Sequence, residues 1–234
     1  MTKLRVLVTG GGRGIGRAIA LRFAREGAQV VVAARTTAEV GRVAREVDAA
    51  GGEGCAVHMD VQEGASVVSA IRSATDFTGG VLDVIVNNAG IFDQVPIAEI
   101  TEASWKQMVD VNLSGPFRVV SAALPALRKG ERRHLFNISS VAGKQGFPLS
   151  VAYCATKYGL RGFGDALREE LRDEGIRVST VYPGTTDTSI FDDVPGDWDR
   201  STMDSPEDVA EVVWQGYCAP AGEDAADLDM PDPQ

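Results

Sequence analysis

Aromatic and basic residues are scarce in this chain of 234 residues, and it contains no long uninterrupted hydrophobic run. Aromatic residues make up 6% of the chain, and 33 aspartates and glutamates outnumber 23 lysines and arginines, for a net charge of −10. Such an acidic balance lacks the basic surface that nucleic acids require. No apolar run approaches the roughly 18 residues that cross a bilayer. We therefore expect neither nucleic acid nor a membrane as a partner.

Cysteines are also few, and their spacing does not match any metal-binding motif. The three cysteines are Cys55, Cys154 and Cys218. An odd number of cysteines in a chain without a signal peptide favours free thiols over disulfides. The N-terminus passes almost directly from Met1 into Val6, without the basic and apolar segments of a signal peptide. The sequence predicts a cytoplasmic protein without a metal site.

The negative charge is concentrated at the C-terminal end. From Asp192 onward there are 13 acidic residues and one basic residue, Arg200, so this segment carries −12 and the preceding residues carry +2. We interpret the segment as a solvated edge and tail, and an interaction tail is the alternative. The predicted organisation is one domain over residues 1–218 and an acidic tail over 219–234, with at most a short edge strand near 226–230.

A strand, a glycine-rich turn and a helix follow one another at the N-terminus. Residues 4–9 form a short apolar strand, and a helical pattern covers 18–26. Between them, glycines let the backbone approach a pyrophosphate, and the helix N-terminus supplies free N–H groups and a positive dipole. The residues predicted to bind a dinucleotide here are Gly10, Gly12, Arg13, Gly14, Ile15 and Gly16.

The second predicted strand, over residues 29–34, ends in a neutral residue followed by a cation. An NAD site usually has Asp or Glu at this place, where it accepts from a ribose hydroxyl. Ala34 followed by Arg35 suits a 2′-phosphate instead, and Arg13 could reach the same phosphate. The alternative is that both are ordinary surface arginines. With both at these places, we predict NADP rather than NAD.

Small and polar residues follow the later strands. Asp60 could accept from an adenine amine, cap a helix over about 62–77, or do both. Asn87 to Gly90 follow the fourth strand, and Pro183 follows the sixth. Because strands alternate with helices throughout, we predict a single-domain, Rossmann-type, doubly wound parallel sheet in three α/β/α layers, with strand order 3-2-1-4-5-6. The small and polar residues at the carboxyl ends of the strands should then lie along one crevice.

The stretch from 137 to 157 combines a strand end, a loop and a helix. Ser139 and Ser140 end the strand, and Tyr153 and Lys157 lie one turn apart on one helix face. A hydroxyl, a phenol and an ammonium at one place indicate proton transfer. Because a free tyrosine titrates near 10, we expect Lys157, helped by an oxidised nicotinamide, to lower the pKa of Tyr153.

A predicted helix over residues 101–129 is interrupted near Pro116. Proline cannot donate an N–H to the carbonyl four residues earlier, which belongs to Asn112. The interruption is either a simple kink or a place where Asn112 holds an ordered water in a proton path.

In combination, these motifs resemble the short-chain dehydrogenase/reductase family over about residues 4–217. Residues 9–16 match its T-G-x-x-x-G-x-G pattern, 87–90 match N-N-A-G, and 153–157 match Y-x-x-x-K. The resemblance implies an enzyme that transfers a hydride between a nicotinamide and a carbonyl/alcohol carbon, acting on CH–OH groups. The family's serine usually lies thirteen residues before the tyrosine, which selects Ser140 over Ser139, and Asn112 matches the family's helix asparagine.

The resemblance also implies a full set of site residues. The catalytic residues would be Asn112, Ser140, Tyr153 and Lys157. The cofactor contacts would be Gly10, Gly12, Arg13, Gly14, Ile15, Gly16, Arg35, Asp60, Val61, Asn87, Ala89, Gly90, Tyr153, Lys157, Pro183, Gly184, Thr186 and Thr188. The family further suggests a homodimer or homotetramer, and a dimer through helices 103–128 and 151–172 is the main expectation.

The substrate is constrained only by three loops. They offer Phe92, Gln94, Phe147, Phe191 and Trp198, and residues 189–204 are long enough to form a lid. This mixture predicts a small, moderately apolar ketone, aldehyde or 3-oxoacyl-type substrate. The alternative function is a catalytically idle NADP-binding regulatory or scaffold protein.

Overall fold

A single parallel sheet lies between two layers of helices in the computed structural model, which describes residues 3–192, 194–220 and 226–231. The strands are β1 Arg5–Thr9, β2 Gln29–Ala34, β3 Glu53–His58, β4 Val84–Asn87, β5 His134–Ile138, β6 Arg177–Tyr182 and β7 Asp227–Asp229. The helices are α1 Gly14–Ala24, α2 Thr37–Ala49, α3 Gly64–Phe77, α4 Glu102–Val109, α5 Gly115–Leu127, α6 Val151–Leu171 and α7 Pro206–Cys218. The sheet order β3-β2-β1-β4-β5-β6-β7 confirms the predicted fold, and the short edge strand expected near 226–230 is present as β7.

The central strands are apolar at successive positions because both faces of the sheet are covered. Val6 and Val8 of β1 pack in a core with residues of α1, α2 and α7. Leu7, between them, points to the opposite face and packs in a second core with residues of α3 and α5. Side chains that alternate between two cores fix the register of each strand. The carboxyl ends of the strands are thereby aligned along one edge of the sheet.

The interrupted helix is divided by a π-helical turn, Asp110–Ser114, between α4 and α5. This geometry accommodates Pro116, which lacks an N–H for a regular helical bond. The Arg118 guanidinium donates to the carbonyl oxygens of Asp110 (3.2 Å) and Val61 (3.1 Å), which ties the distorted turn to the segment after β3. The π turn directs Asn112 inward, where it is 1% exposed.

Free thiols and a capped last helix complete the fold. Cys55, Cys154 and Cys218 are free thiols, as expected. Helix α7 begins after Ser205, whose hydroxyl accepts from the Asp208 N–H (3.1 Å) in a reciprocal capping box. Within the described ranges, no helix has the length and apolar character needed to cross a bilayer.

His134, the first residue of β5, is fully buried. Its Nε2 lies 2.9 Å from the Ser179 hydroxyl, and its ring stacks on Phe136 at a centroid distance of 3.8 Å. Burial, reinforced by the positive charges of Arg177 and Arg132, holds the pKa of this imidazole well below its usual value. The folded protein therefore keeps His134 neutral.

This burial predicts a specific loss of stability in mild acid. Since the unfolded chain binds a proton on His134 before the folded chain does, the free energy of unfolding should fall as the pH decreases below about 6.5. The free energy of unfolding of the His134→Gln variant, measured with denaturant between pH 8 and 5, should depend less steeply on pH than that of the wild type. The exposed His58 is the matched control, and His58→Gln should keep the wild-type slope. An unchanged slope in His134→Gln would contradict this origin.

Candidate active site

Two cavities meet at Tyr153 on the carboxyl edge of the sheet. The first, the dinucleotide cavity, has a volume of about 270 Å³ and extends from the glycine turn past the ends of β2 and β3 to Lys157. The second, the substrate cavity, has a volume of about 280 Å³ and extends from Ser140 toward Phe147 and Trp198. The residues that line both cavities are Ile15, Ser139, Tyr153, Thr188 and Ile190. A group bound in one cavity would therefore contact a group bound in the other beside the phenol.

The glycine turn leaves room at the start of α1 for a ligand. Gly14 begins the helix with φ of +52°, and a Cβ on Gly16 would lie 2.4 Å from the Gly10 carbonyl oxygen. The Asn88 amide holds the turn in place by donating to the carbonyl oxygens of Thr9 (2.9 Å) and Gly10 (3.2 Å). No described side chain caps the first turn of α1, which also contains no acidic residue. This arrangement fits the pyrophosphate of a nicotinamide dinucleotide.

The far end of the dinucleotide cavity carries two cations and two carboxylates. Arg13 and Arg35 line it and are exposed, and neither forms an ion pair with another described residue. Glu39, in the first turn of α2, places its Oε2 3.1 Å from the position that a Gly12 Cβ would occupy. The two arginines favour a phosphate at this end, whereas the Glu39 carboxylate favours a ribose hydroxyl.

Asp60 lines the same cavity, but its predicted role as a helix cap is wrong. The next helix begins at Gly64 rather than near Gln62, and Glu63 is its N-cap residue. The Asp60 carboxylate instead accepts from the Gln62 N–H (2.9 Å), in a local turn outside the helix. The other carboxylate oxygen is available to the cavity.

The predicted cofactor residues fall into three groups. Those that line the dinucleotide cavity are Gly10, Gly12, Arg13, Gly14, Ile15, Arg35, Asp60, Val61, Ala89, Gly90, Tyr153, Lys157 and Thr188. Those that line the substrate cavity are Pro183, Gly184 and Thr186, together with Ile15, Tyr153 and Thr188, which line both cavities. Gly16 and Asn87 line neither cavity, because Gly16 packs against the turn and the buried Asn87 donates to the Asn137 amide oxygen (3.0 Å).

Ser140 and Tyr153 are brought together by a short turn and a helix. Ser140 follows β5 and caps a 3-10 turn, Val141–Gly143, by accepting from the Ala142 N–H (3.1 Å). Tyr153 lies in the first turn of α6, and the Ser140 hydroxyl lies near enough to its phenol to lower the phenol pKa against the effect of burial. The Phe92 ring packs edge-to-face on the Tyr153 ring at 4.8 Å. Two hydroxyl groups thus point at one place in the substrate cavity.

Lys157 is oriented by the backbone and not by the phenol oxygen. Its Nζ donates to the Ile138 carbonyl oxygen (2.9 Å) and lies 5.5 Å from the centre of the Tyr153 ring. Ser139 does not share the place of Ser140 beside the phenol. Its hydroxyl instead donates to the Lys157 carbonyl oxygen (3.2 Å) and stabilises α6. Lys157 therefore directs its remaining N–H bonds toward the dinucleotide cavity that it lines.

The expected lowering of the Tyr153 pKa is wrong for the protein by itself. Burial raises the pKa of Tyr153 to about 12, although the hydrogen bond from Ser140 opposes this shift. Burial lowers the pKa of Lys157 to about 8, because the ammonium is 6% exposed and its protein partner is a neutral carbonyl. At neutral pH the phenol is therefore protonated, and Lys157 retains most of its charge.

Asn112 lies behind the cavities and lines neither of them. Its amide accepts from the Ile91 N–H (2.9 Å) and donates to the Ile91 carbonyl oxygen (2.9 Å). It also donates to the Thr156 hydroxyl (3.2 Å), which donates to the Tyr153 carbonyl oxygen (2.8 Å). This chain of bonds connects the π turn, the loop after β4 and α6. The role of Asn112 in holding a relay water stays a prediction.

The substrate cavity has an aromatic wall. Phe92 packs against Phe191 at 5.5 Å and against Trp198 at 6.0 Å, and those two rings are 4.7 Å apart. Phe191 and Trp198 belong to the predicted lid, residues 189–204, of which the structure describes all but residue 193. Arg200 braces this segment through the carboxylates of Asp187 and Asp192, each at 2.8 Å. Among the described residues that line the cavity, none is charged.

Sequence reasoning missed two residues that the geometry brings to the site. Asn88 clamps the glycine turn, and its place inside the N-N-A-G motif was a usable signal. Glu39 enters the dinucleotide cavity from α2, and only its position five residues after the end of β2 pointed to it. The first turn of α2, rather than a local motif, brings the Glu39 side chain back near the end of β2.

Comparison with known proteins agrees with this geometry. The sequence pattern of the short chain dehydrogenase family matches residues 4–197. The 2,5-dichloro-2,5-cyclohexadiene-1,4-diol dehydrogenase of Sphingobium indicum is 38% identical over 191 residues, which cover 82% of this chain and 76% of that protein.

Two solved structures show the same fold along nearly the whole chain. An alcohol dehydrogenase from the archaeon Thermococcus sibiricus, complexed with 5-hydroxy-NADP, superposes with a TM-score of 0.88 at 27% identity, covering 99% of both chains. A 3-ketoacyl-(acyl-carrier-protein) reductase from Brucella melitensis, complexed with NADH, gives a TM-score of 0.86 at 28% identity, covering 97% of this chain and 96% of the other. On sequence, fold and site together, the chain belongs to the short-chain dehydrogenase/reductase family and is a nicotinamide-dependent oxidoreductase acting on hydroxyl or carbonyl groups.

Proposed function

We propose that the protein is an NADPH-dependent reductase of a small, uncharged and largely apolar ketone, aldehyde or 3-oxoacyl-type compound. The observation that carries this proposal is the position of Tyr153, whose protonated phenol lies where the two cavities meet, near the Ser140 hydroxyl. A proton donor at that junction is what carbonyl reduction requires of the protein.

Each end of the dinucleotide would be held by different residues. The glycine turn and the N-terminus of α1 would bind the pyrophosphate, and Asp60 and Val61 would bind the adenine. The nicotinamide ribose would be held by Ala89, Gly90 and Lys157. The nicotinamide itself would be contacted by Pro183, Gly184, Thr186 and Thr188. When bound, the nicotinamide supplies or accepts the hydride.

The protein's own part in the reaction is to position the carbonyl and to give it a proton. Ser140 donates a hydrogen bond to the carbonyl oxygen, which fixes its direction. Tyr153 donates its proton to the same oxygen as the alcohol forms, and the reverse reaction returns that proton. The positive charge of Lys157 stabilises the phenolate left behind, more strongly than it would in water because Lys157 is buried and Tyr153 is half-buried. Burial keeps the phenol neutral at neutral pH, and this is the form that donates a proton in carbonyl reduction.

The choice of NADP over NAD is supported by charge. Arg13 and Arg35 both reach the adenosine end without a competing ion pair among described residues, whereas the Glu39 carboxylate opposes them and Asp60 is assigned to the adenine. Two guanidinium groups favour a 2′-phosphate, and Glu39 should make the preference smaller than the arginines alone would give.

The substrate class follows from the walls of the substrate cavity. Its volume of about 280 Å³ is at the small end of the range for ligand sites. The rings of Phe92, Phe191 and Trp198 provide apolar area, and no charged side chain among the described lining residues would pair with a carboxylate or phosphate. A neutral ketone or aldehyde with an apolar body fits this surface.

We also propose a homodimer. The helices expected to pair expose large apolar side chains, with Trp105 of α4 at 40%, Phe117 of α5 at 58% and Tyr158 of α6 at 44%. The edge strand β7 is short and bears Asp227 and Asp229, a composition that disfavours pairing with another strand and so speaks against a tetramer built there.

A spectrophotometric screen tests the proposed function. Oxidation of NADPH and of NADH is followed with neutral ketones and aldehydes of increasing apolar size, with matched 2-oxo acids as charged controls. We expect turnover with NADPH and neutral carbonyls, slower turnover with NADH, and little with the oxo acids. Saturable NADPH binding without turnover on any carbonyl would instead indicate the idle binding protein, and equal use of NADH would contradict the cofactor choice.

A further inference from the structure

Lys144, in the loop after the Ser140 turn, is held by the acidic C-terminal strand. Its Nζ donates to both carboxylate oxygens of Asp229, at 2.6 and 2.9 Å, and lies 3.7 Å from the Asp227 carboxylate. It also lies 3.9 Å from the centre of the Tyr182 ring. One ammonium thus has two carboxylates and one aromatic face as partners, which restricts it more than a single surface ion pair would.

The strand that carries these carboxylates is itself anchored. The Thr180 N–H donates to the Ala226 carbonyl oxygen (2.9 Å), and the Tyr182 hydroxyl donates to the Asp227 carboxylate (3.0 Å). Leu228 points to the opposite face, where it packs so closely on Gly216 that a Cβ there would lie 2.6 Å from it. Alternation along β7 therefore packs the half-buried Leu228 against α7 and presents Asp227 and Asp229 to Lys144.

Lys144 closes the turn that forms part of the substrate cavity. Its N–H donates to the Val141 carbonyl oxygen (2.9 Å), as does the Gln145 N–H (3.0 Å), and the Gly143 N–H donates to the Ser140 carbonyl oxygen (2.8 Å). The side chains just before it, Val141 and Ala142, line the cavity beside Ser140. A displacement of Lys144 would therefore move the backbone that holds the Ser140 hydroxyl.

We propose that Asp229, with Asp227, acts through Lys144 as a positioning residue for Ser140 and for the substrate-binding turn Val141–Gly143. Strand β7 is then a support of the active site in addition to an edge of the sheet. The same contact neutralises Lys144, the cation of the loop that follows Ser140, and keeps it away from an anionic substrate. The kinetic consequences rest on the proposed reductase function, and the effect on backbone dynamics does not.

Amide hydrogen exchange tests the contact without any substrate. In Asp229→Asn and Lys144→Met, the amides of Gly143, Lys144 and Gln145 should exchange about two- to fivefold faster, as expected for loss of a partly exposed ion pair. Lys144→Asp should show the same increase or more, and Lys144→Asp combined with Asp229→Lys should return exchange toward the wild-type rate. The control is Asp76→Asn, which removes an exposed carboxylate of α3 outside both cavities and should change nothing.

Steady-state kinetics then separate positioning from general stability. The KM for the carbonyl compound should rise about two- to fivefold in Asp229→Asn, while the KM for NADPH and the thermal midpoint stay at wild-type values. Unchanged exchange in the single variants, or no recovery in the charge-reversed pair, would overturn the proposal. If the wild type showed no turnover with any carbonyl, the proposed function would fail, and the exchange data would still decide the role of Asp229.

Discussion

Replacing Tyr153 by phenylalanine should lower kcat for carbonyl reduction by about 10²–10⁴-fold, the usual contribution of a general acid. The substitution removes the hydroxyl that lies near Ser140 and leaves the ring, which packs edge-to-face on Phe92 at 4.8 Å. Because the loss is confined to a proton donor, dinucleotide binding and the fold should be preserved. The measurement is the single-turnover rate of NADPH oxidation, with NADPH affinity followed by fluorescence titration.

Tyr158 provides a matched control for that substitution. It lies on the same helix, its side chain is 44% exposed, and it lines neither cavity. Tyr158→Phe should retain the wild-type rate and NADPH affinity. Substantial turnover by Tyr153→Phe would remove the phenol from the mechanism. A loss of NADPH binding together with turnover would indicate that the substitution had disturbed the site as a whole.

Removing the two arginines at the adenosine end should change the cofactor preference. The Arg13→Ala/Arg35→Ala double variant should bind NADPH roughly 30- to 100-fold more weakly, since charge-assisted hydrogen bonds to a phosphate are worth about 1.5–3 kcal/mol each and these side chains are partly screened by water. NADH, which lacks the 2′-phosphate, should bind as before. The ratio of the two dissociation constants, measured by titration in one buffer, gives the preference directly.

Two further variants test whether charge at this place sets the preference. Arg45→Ala removes an exposed cation of α2 that lies outside the cavity, and it should leave the NADPH/NADH ratio unchanged. Glu39→Gln removes the opposing carboxylate inside the cavity and should strengthen NADPH binding relative to NADH. If the double arginine variant weakened the binding of NADH and of NADPH equally, Arg13 and Arg35 would not be the residues that recognise the 2′-phosphate.

Local patterns were sufficient to predict the sheet and the main members of the site. Strand–helix alternation and short apolar runs such as Val6 to Val8 determine a parallel order, because each strand must be covered on both faces. The four-residue spacing of Tyr153 and Lys157 places both on one helical face, which the structure reproduces within α6. These features depend on neighbours in the chain, so the sequence contains them directly.

Properties that depend on distant neighbours could not be predicted in the same way. The pKa of Tyr153 is set by burial among loops and helices, and Lys157 proved to be bonded to the Ile138 carbonyl instead of facing the phenol oxygen. Likewise, a backbone argument placed Asn112 at a helix distortion, but its amide is occupied by Ile91, a residue 21 positions earlier. Lys144 and Asp229 are in contact although 85 positions separate them in the chain, and no short motif indicates such a contact.

The fate of a deuterium label tests the central claim most directly. NADPH carrying deuterium at the transferable position of its nicotinamide ring is incubated with the best neutral ketone from the screen, and the alcohol is examined by mass spectrometry and proton NMR. The site predicts an alcohol with deuterium on the carbinol carbon, formed by the wild type and Tyr158→Phe and not by Tyr153→Phe. An alcohol without the label, or equal labelled product from Tyr153→Phe, would contradict hydride transfer assisted by the Tyr153 proton.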